Sequence, residues 1–494
     1  MDERENAADK DENTPLLDKE GQTASKVSNS RLFLAVFSVV LGNFSFGYSL
    51  VYTSPVQLQL QSTEDPRLHM DTSQYAWFGS IYPLGAAAGG LGTMLLNDMI
   101  GRKLSIMVSG VPSAVGYMLM GGATDRWMLQ VGRFLTGIAG GMTAASIPVY
   151  ISEISHPAIR GAMGSCPQIT AVCGALALYA LGLVLPWRWL AVVGGVPAVL
   201  MVGLVALMPC SPRRLLSLGR EQQAEAALRW LRGKRYDVAT ELRAIEHSIN
   251  TQGRVTWTEL ATPVYYRPIA ISVVMRFLQQ LTGITPTLVY LEYIISRSNI
   301  PLDSKFAPVI VGAVRLLSVA MAASLMDRAG RKVLLYTSSM LMLLSSLTLT
   351  MFYHITPCLT PPSPHNLTHQ AFHSLGTSPE PSLVPFLVTM VFIFGYAMGW
   401  GPITWLLMAE VLPLVARGVA SGLCVAVSWL TAFAVTHAFM VLAEYSLYMP
   451  YLCFTVVCVF CLLFTALCVP ETRGRSLEEI ENFFRTGRTF TITR

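Results

Sequence analysis

The run "IVGAVRLLSVAM", residues 310–321, holds a single charge, Arg315, and stays apolar as far as Leu325. A guanidinium carries five donors, no acceptor and a permanent charge. Within an apolar helix it can clamp a carboxylate, face a wet cavity, or bind an anionic group such as a phosphate or carboxylate. The nearest acid in sequence is Glu292, late in the preceding apolar run, and a clamp between the two is the structural reading of Arg315. Other charges recur in matched sets. Asp98-x-x-Gly101-Arg102-Lys103 returns as Asp327-x-x-Gly330-Arg331-Lys332, and Glu153 with Arg160-Gly161 returns as Glu410 with Arg417-Gly418. Carboxylates and guanidiniums at helix ends on one face can pair between two moving bodies, closing that face and later releasing it. Plain topology also keeps basic residues in such connections. Arg133 is grouped with this gate set.

Metal and redox chemistry find less support. Cys458-Val-Phe-Cys461 has the C-x-x-C form, but it sits in an apolar run beside Cys453 and Cys468 and reads as packing. Of the nine cysteines only Cys358 lies in a connection on the non-cytosolic side, so no disulfide framework follows. His365, His369 and His373 have i,i+4 spacing but lie in a Pro-rich connection, and His437 reads as a packed neutral imidazole. No metal, cofactor or covalent chemistry is expected.

These side chains must be carried by membrane helices. The chain of 494 residues is 52% hydrophobic and 13% charged, against about 25% charged in soluble domains, and its mean hydropathy is +0.48. The net charge of +5 is no nucleic-acid signature, because the basic residues cluster between apolar spans. Runs long enough to cross a bilayer, about 20 residues each, fall near 32–54, 75–97, 104–122, 127–150, 161–185 and 187–208, then near 268–296, 306–326, 333–354, 383–409, 417–443 and 447–469. They make twelve spans, split six and six. "GRK" at 101–103, Arg160, residues 209–265, "RAGRK" at 328–332 and Arg417 share one side, while residues 355–382 on the other side contain no Lys or Arg. The positive-inside rule therefore puts the termini and the central loop in the cytosol.

The polar start, residues 1–31, has no signal-peptide core and is expected to be a disordered cytosolic tail. Residues 32–208 form the first six-helix half and 266–470 the second, with a cytosolic tail over 471–494. In the loop between the halves, residues 209–265, "REQQAEAALRWLRG" and "YDVATELRAIEHSIN" predict short amphipathic helices lying on the cytosolic face. "PCSPRR" (209–214) and "PETRGR" (470–475) close the two halves at matched positions. The expected fold class is thus an all-α membrane protein of two pseudo-symmetric six-helix halves, an architecture suited to alternating access around a midplane site.

"NDMIGRK", "PVYISEISHPAIRGAMG", "PCSPRRLL", "QQLTGITP", "MDRAGRK", "GWGPITWLLMAEVLP" and "PETRGRSLEEIE" resemble the signatures of the sugar porter family of the major facilitator superfamily, over about residues 32–485. Within it the chain is similar to the class III facilitative glucose transporters, which carry their long glycosylatable loop between spans 9 and 10; here Asn366-Leu367-Thr368 has the sequon form. The resemblance implies a facilitative hexose carrier, a uniporter and not an enzyme, read as a monomer in the lipid bilayer. It also implies sugar-binding positions at Gln168, Gln279, Gln280, Trp405 and Trp429. Amides suit paired hydroxyls and a Trp offers a stacking face. Gly283 and Pro286 in span 7, and Gly399, Gly401 and Pro402 in span 10, would break those helices.

Departures are as informative. Thr285 and Arg315 replace asparagines of glucose porters, Ala397 replaces a glutamate, and Ser428 and Ala432 replace a span 11 asparagine pair. The substrate set is accordingly Gln168, Gln279, Gln280, Thr285, Arg315, Trp405 and Trp429, with a carrier of an anionic or modified sugar, or a sugar sensor, as alternatives. Ser49 stands where proton-linked sugar porters place an aspartate. In the tail, Glu12, Leu16 and Leu17 form an acidic dileucine signal, fitted to a clathrin adaptor groove. Class III relatives carry such a signal, which implies an endosomal or lysosomal membrane, with cycling to the plasma membrane.

Overall fold

The computed structural model describes residues 29–63, 65–156, 159–233, 236–251, 262–298, 300–301, 303, 305–356, 382–412, 417–473, 480 and 484. The sorting signal at Glu12, Leu16 and Leu17, the sequon at Asn366 and the three loop histidines lie outside the described residues. Every regular element among the described residues is helical. By contacts the chain separates into two units, one of residues up to Ala35 with Pro209–Thr251, the other holding the remaining helices.

α1 (Ser30–Leu50), which enters the larger unit at Val36, and α2 (Thr53–Gln61) make span 1. They are followed by α3 (Thr72–Met99), α4 (Arg102–Gly121), α5 (Arg126–Ile154), α6 (Arg160–Gly182) and α7 (Trp187–Ala206). The smaller unit holds α8 (Pro212–Ser217), α9 (Glu221–Arg232) and α10 (Val238–Thr251). Leu215, Ala224 and Ala227 bury against Leu216 and Leu242 there. Arg232 grips Glu241 with two bonds, Nε–Oε2 3.1 Å and Nη2–Oε1 2.7 Å.

Ten helical segments among the described residues are long and apolar enough to cross a bilayer. The two spans missing from that set fail for different reasons. α3 is long, at 28 residues, but serines, threonines and glycines dilute its apolar content. Its small residues permit close approach: a Cβ on Gly85 would lie 2.3 Å from the Phe134 carbonyl oxygen of α5, and one on Gly137 of α5 the same 2.3 Å from that of Tyr82.

Span 7 is instead three pieces, α11 (Pro263–Leu281), α12 (Ile284–Val289) and α13 (Leu291–Ser296). The first break falls at Gly283, whose φ of +82° is left-handed and whose missing Cβ would lie 2.2 Å from the Phe454 ring. Only glycine meets both conditions.

α14 (Ala307–Ala329) and α15 (Arg331–Ile355) follow, then span 10, again in two pieces, α16 (Val384–Met398) and α17 (Trp400–Val411). At that break Ser338 of α15 donates to the Gly395 carbonyl at 2.7 Å and accepts from the Trp400 amide at 3.1 Å, satisfying backbone groups that the helix gives up. α18 (Arg417–Tyr445) and α19 (Tyr448–Leu467) complete the set.

Between the halves, α3 packs on α18 and α6 on α14. Span 7 is tied to the first half by its broken middle: Tyr179 of α6 donates to the Leu288 carbonyl at 3.0 Å, Tyr290 to that of Ala76 at 3.3 Å, and the Glu292 amide to Ser54 Oγ at 3.1 Å. Gly283→Ala should cost at least about 1–2 kcal/mol from its handedness alone, read as a lower melting temperature in detergent, whereas Gly203→Ala, inside α7 with nothing within 4 Å of its added Cβ, should not lower it.

Candidate functional site

The paired charges form the same construction twice. Arg102 Nε stands 3.1 Å from Glu153 Oε1, and Arg331 Nη2 stands 3.2 Å from Glu410 Oε1. Arg102 also donates to the Asn97 carbonyl at 3.0 Å and Arg331 to that of Met326 at 3.3 Å. Lys103 reaches the Ala206 carbonyl at 2.9 Å, as Lys332 reaches Ala466 at 3.2 Å. Gly101 and Gly330 take one backbone conformation, φ 88° and 92°.

Each ion pair thus lies within one half and not between the halves, because the short connection before α4 or α15 brings its arginine onto the end of a neighbouring helix of the same half. The side chains of Asp327, Arg160 and Arg417 lie outside the described residues. Asp98 closes α3 one residue before its last, beside this construction.

One residue of this network escaped the sequence reading. The Glu471 carboxylate accepts from the Arg331 amide at 3.1 Å and the Lys332 amide at 3.0 Å, capping the start of α15. Thr472 donates to Glu410 Oε2 at 2.6 Å. Its signal was available in "PETRGR", an acid that follows span 12 in the same way that other motif charges follow their spans.

Arg133 belongs elsewhere. It is fully buried within α5, donates to the Ser49 carbonyl and, at 3.1 Å, to Thr53 Oγ1, and lies 4.8 Å from the Tyr82 ring centre. Placing it in the rim gate is corrected by this position: a backbone carbonyl, a threonine hydroxyl and aromatic faces of the first half surround the guanidinium, whose Nε has no partner among the described residues.

Of the substrate set, the two adjacent glutamines point to different partners, as neighbours on a helix must. Gln279 donates to Tyr396 Oη at 2.9 Å, the Trp400 carbonyl at 2.7 Å and that of Gly401 at 3.3 Å. It therefore fastens α11 to the break in span 10. Gln280 donates to Ser428 Oγ at 3.1 Å and accepts from Thr285 at 2.7 Å, joining α11, α12 and α18. Trp429 meets Phe46 of the first half edge-on at 5.7 Å, and its buried indole N–H has no partner among the described residues. Gln168 is half-buried on α6.

Arg315 makes no ion pair with Glu292 among the described residues. Glu292 sits past the second break of span 7, its amide on Ser54, whereas Arg315 lies half-buried on α14, its Nε without a partner among the described residues.

A second membrane arginine, not singled out from the sequence, joins the group. Arg276 of α11 is buried, donates to Gln279 Oε1 and at 3.5 Å to Thr404, and lies 3.8 Å from the Trp405 ring centre. The signal was the one that marked Arg315: a lone charge in an apolar run, "IAISVVMRFL". His437 packs between Trp77, at 5.0 Å, and Ser80 Oγ, at 3.3 Å. Cys458 and Cys461 are buried thiols.

The family model for "Sugar (and other) transporter" matches residues 35–484. The chain belongs to that family. It is 56% identical to the human "Solute carrier family 2, facilitated glucose transporter member 6" over 472 residues, covering 94% of this chain and 93% of that protein. It is 40% identical to the bovine member 8 over 486 residues, 96% of this chain and 98% of that one. Among solved structures, the major facilitator superfamily proton:xylose symporter XylE bound to 6-bromo-6-deoxy-D-glucose superposes with a TM-score of 0.75 at 24% identity, over 92% of this chain and 100% of that one. The inward-open form of XylE from E. coli gives 0.73 at 23% identity, over 92% and 99%. The fold is that of the major facilitator sugar porters, and the chain is a multi-pass membrane protein whose relatives are named as transporters, not enzymes.

Removing one partner of a half-internal pair strands a mostly buried charge. Glu410→Ala should therefore cost about 1–3 kcal/mol, read as a lower melting temperature in detergent. The swap Arg331→Glu with Glu410→Arg should recover part of that loss if direct pairing is what Glu410 contributes.

Proposed function

We propose that this protein is a facilitative hexose uniporter working by alternating access, with both termini in the cytosol, in an endosomal or lysosomal membrane. The observation that carries the transport reading is the junction of two broken helices. Gln279 holds the span 10 break, while the glycine break of span 7 lies four residues further on. Helices that are already interrupted can bend without losing further backbone hydrogen bonds, because side chains such as Ser338 hold the freed groups. The halves rock on the α3–α18 and α6–α14 seams, and the Arg102–Glu153 and Arg331–Glu410 pairs keep each rim stiff while they do so.

Sugar hydroxyls are met by Gln168, Gln280, Thr285 and the spare indole N–H of Trp429, with Trp405 as the stacking face. The 56% identity to a protein named a facilitated glucose transporter supports a hexose as the substrate. Uniport is favoured because Ser49 is no proton carrier and its carbonyl is occupied by Arg133.

In liposomes containing the purified protein, labelled glucose should exchange against unlabelled glucose at the same rate with and without a pH gradient. A requirement for the gradient would refute uniport. The internal-membrane assignment rests on the dileucine signal and its clathrin adaptor: Leu16→Ala with Leu17→Ala should move the protein to the cell surface, measured by surface biotinylation, and an unchanged distribution would reject it.

A further inference from the structure

The Arg102–Glu153 pair stands at the end of α3, and Tyr75 and Ala76 stand near its start, so span 7 meets the first half at the opposite end of the bundle. Side-chain contacts close that end. The Glu292 amide donates to Ser54 Oγ of α2 at 3.1 Å. The Tyr290 hydroxyl has one proton for two carbonyls, that of Ala76 at 3.3 Å and that of Tyr75 at 3.4 Å. The fit is close: a Cβ on Gly79 would lie 2.0 Å from the same hydroxyl.

This end also buries polar groups that it does not bond. Gln57 of α2 is fully buried, and neither its amide nitrogen nor its amide oxygen has a partner among the described residues. Its direction follows from the helix. Each residue turns by about 100°, so Gln57 points between Thr53 and Ser54. Thr53 receives Arg133 of α5 at 3.1 Å, and Ser54 receives Glu292 of α13. α2 packs on both pieces of span 7, α12 and α13. On α3, Tyr75, whose carbonyl faces Tyr290, has a buried hydroxyl that is likewise without a partner among the described residues. A buried amide in this condition is costly, because it has given up water and received nothing in exchange.

We propose that Gln57 is a gate residue that works by being unpaired: it weakens the closed contact of span 1 with span 7 and so returns the carrier to the state open at that end. The proposal rests on the alternating-access reading above. When span 7 moves away, water reaches the amide and its cost disappears. Ser54 and Gln57, three residues apart on α2, then act in opposite directions. Ser54 holds span 7, and Gln57 releases it. An apolar side chain of similar size at residue 57 would remove the cost and keep the gate shut.

The test uses the full chain in detergent and in liposomes. Backbone amides of Thr53–Gln61 and Leu291–Ser296 take up deuterium when water reaches them, and mass spectrometry reads the rate. Gln57→Leu should slow that uptake about tenfold, the effect of removing one unsatisfied buried group, and should raise the melting temperature. Gln57→Met, unbranched like glutamine, gives the same reading if the leucine variant does not fold. Ser54→Ala should do the reverse, with faster uptake in both segments and a lower melting temperature. Every turnover passes through the open gate, so Gln57→Leu should also slow glucose exchange in liposomes.

Deuterium uptake that is unchanged or faster in both apolar variants overturns the proposal, since the amide is then satisfied in the closed contact. A melting temperature that falls in both variants overturns it as well. So does slower uptake with undiminished glucose exchange, because the contact is then no gate. If the wild-type chain moves no glucose, the hexose reading fails by itself. Slower uptake in the apolar variants, with faster uptake in Ser54→Ala, still supports the role of Gln57.

Discussion

A bilayer offers no water to a buried polar group, so everything polar in these spans must be satisfied by the protein or by what passes through it. Three arginines show the range of solutions. Arg133 is enclosed by a backbone carbonyl, a threonine and tyrosine faces. Arg276 is bracketed by an amide, a hydroxyl and an indole. Arg315 is half-buried on α14, its Nε, like those of the other two, without a partner among the described residues. The same constraint governs the backbone: Ser338 takes over groups freed at the span 10 break, and Tyr179 and Ser54 do so beside the second break of span 7.

That rule ties the rims to the middle of the molecule. The connections before α4 and α15 repeat one set of contacts, arginine to glutamate and lysine to a distant carbonyl. Each half is stiffened at its edge by charge and remains interrupted at its centre, in the second half, by glycine.

Much of the fold was legible because hydrocarbon thickness imposes a length on every span, and because duplicated motifs reveal the repeat. Glycines 283 and 399 announced the breaks, since no other residue suits them. The site was less legible. Gln279 and Gln280 read identically in sequence, but a helix turns adjacent residues in different directions, and only packing decides which one fastens a neighbouring helix. Tyr396 gave no sign, being one aromatic among many in an apolar run. Arg133 was misplaced because a charge in sequence does not disclose its depth, and motif spacing did not disclose that Arg102 and Arg331 each find a glutamate within their own half.

The Glu471 cap adds a consequence for biogenesis. The first half's rim is complete in sequence by Ala206, the carbonyl that receives Lys103. The second half's rim draws on a carboxylate beyond its last span to finish a helix that begins at Arg331, 140 residues earlier. During synthesis this carboxylate cap on the first amides of α15 can close only after the chain past span 12 has been made.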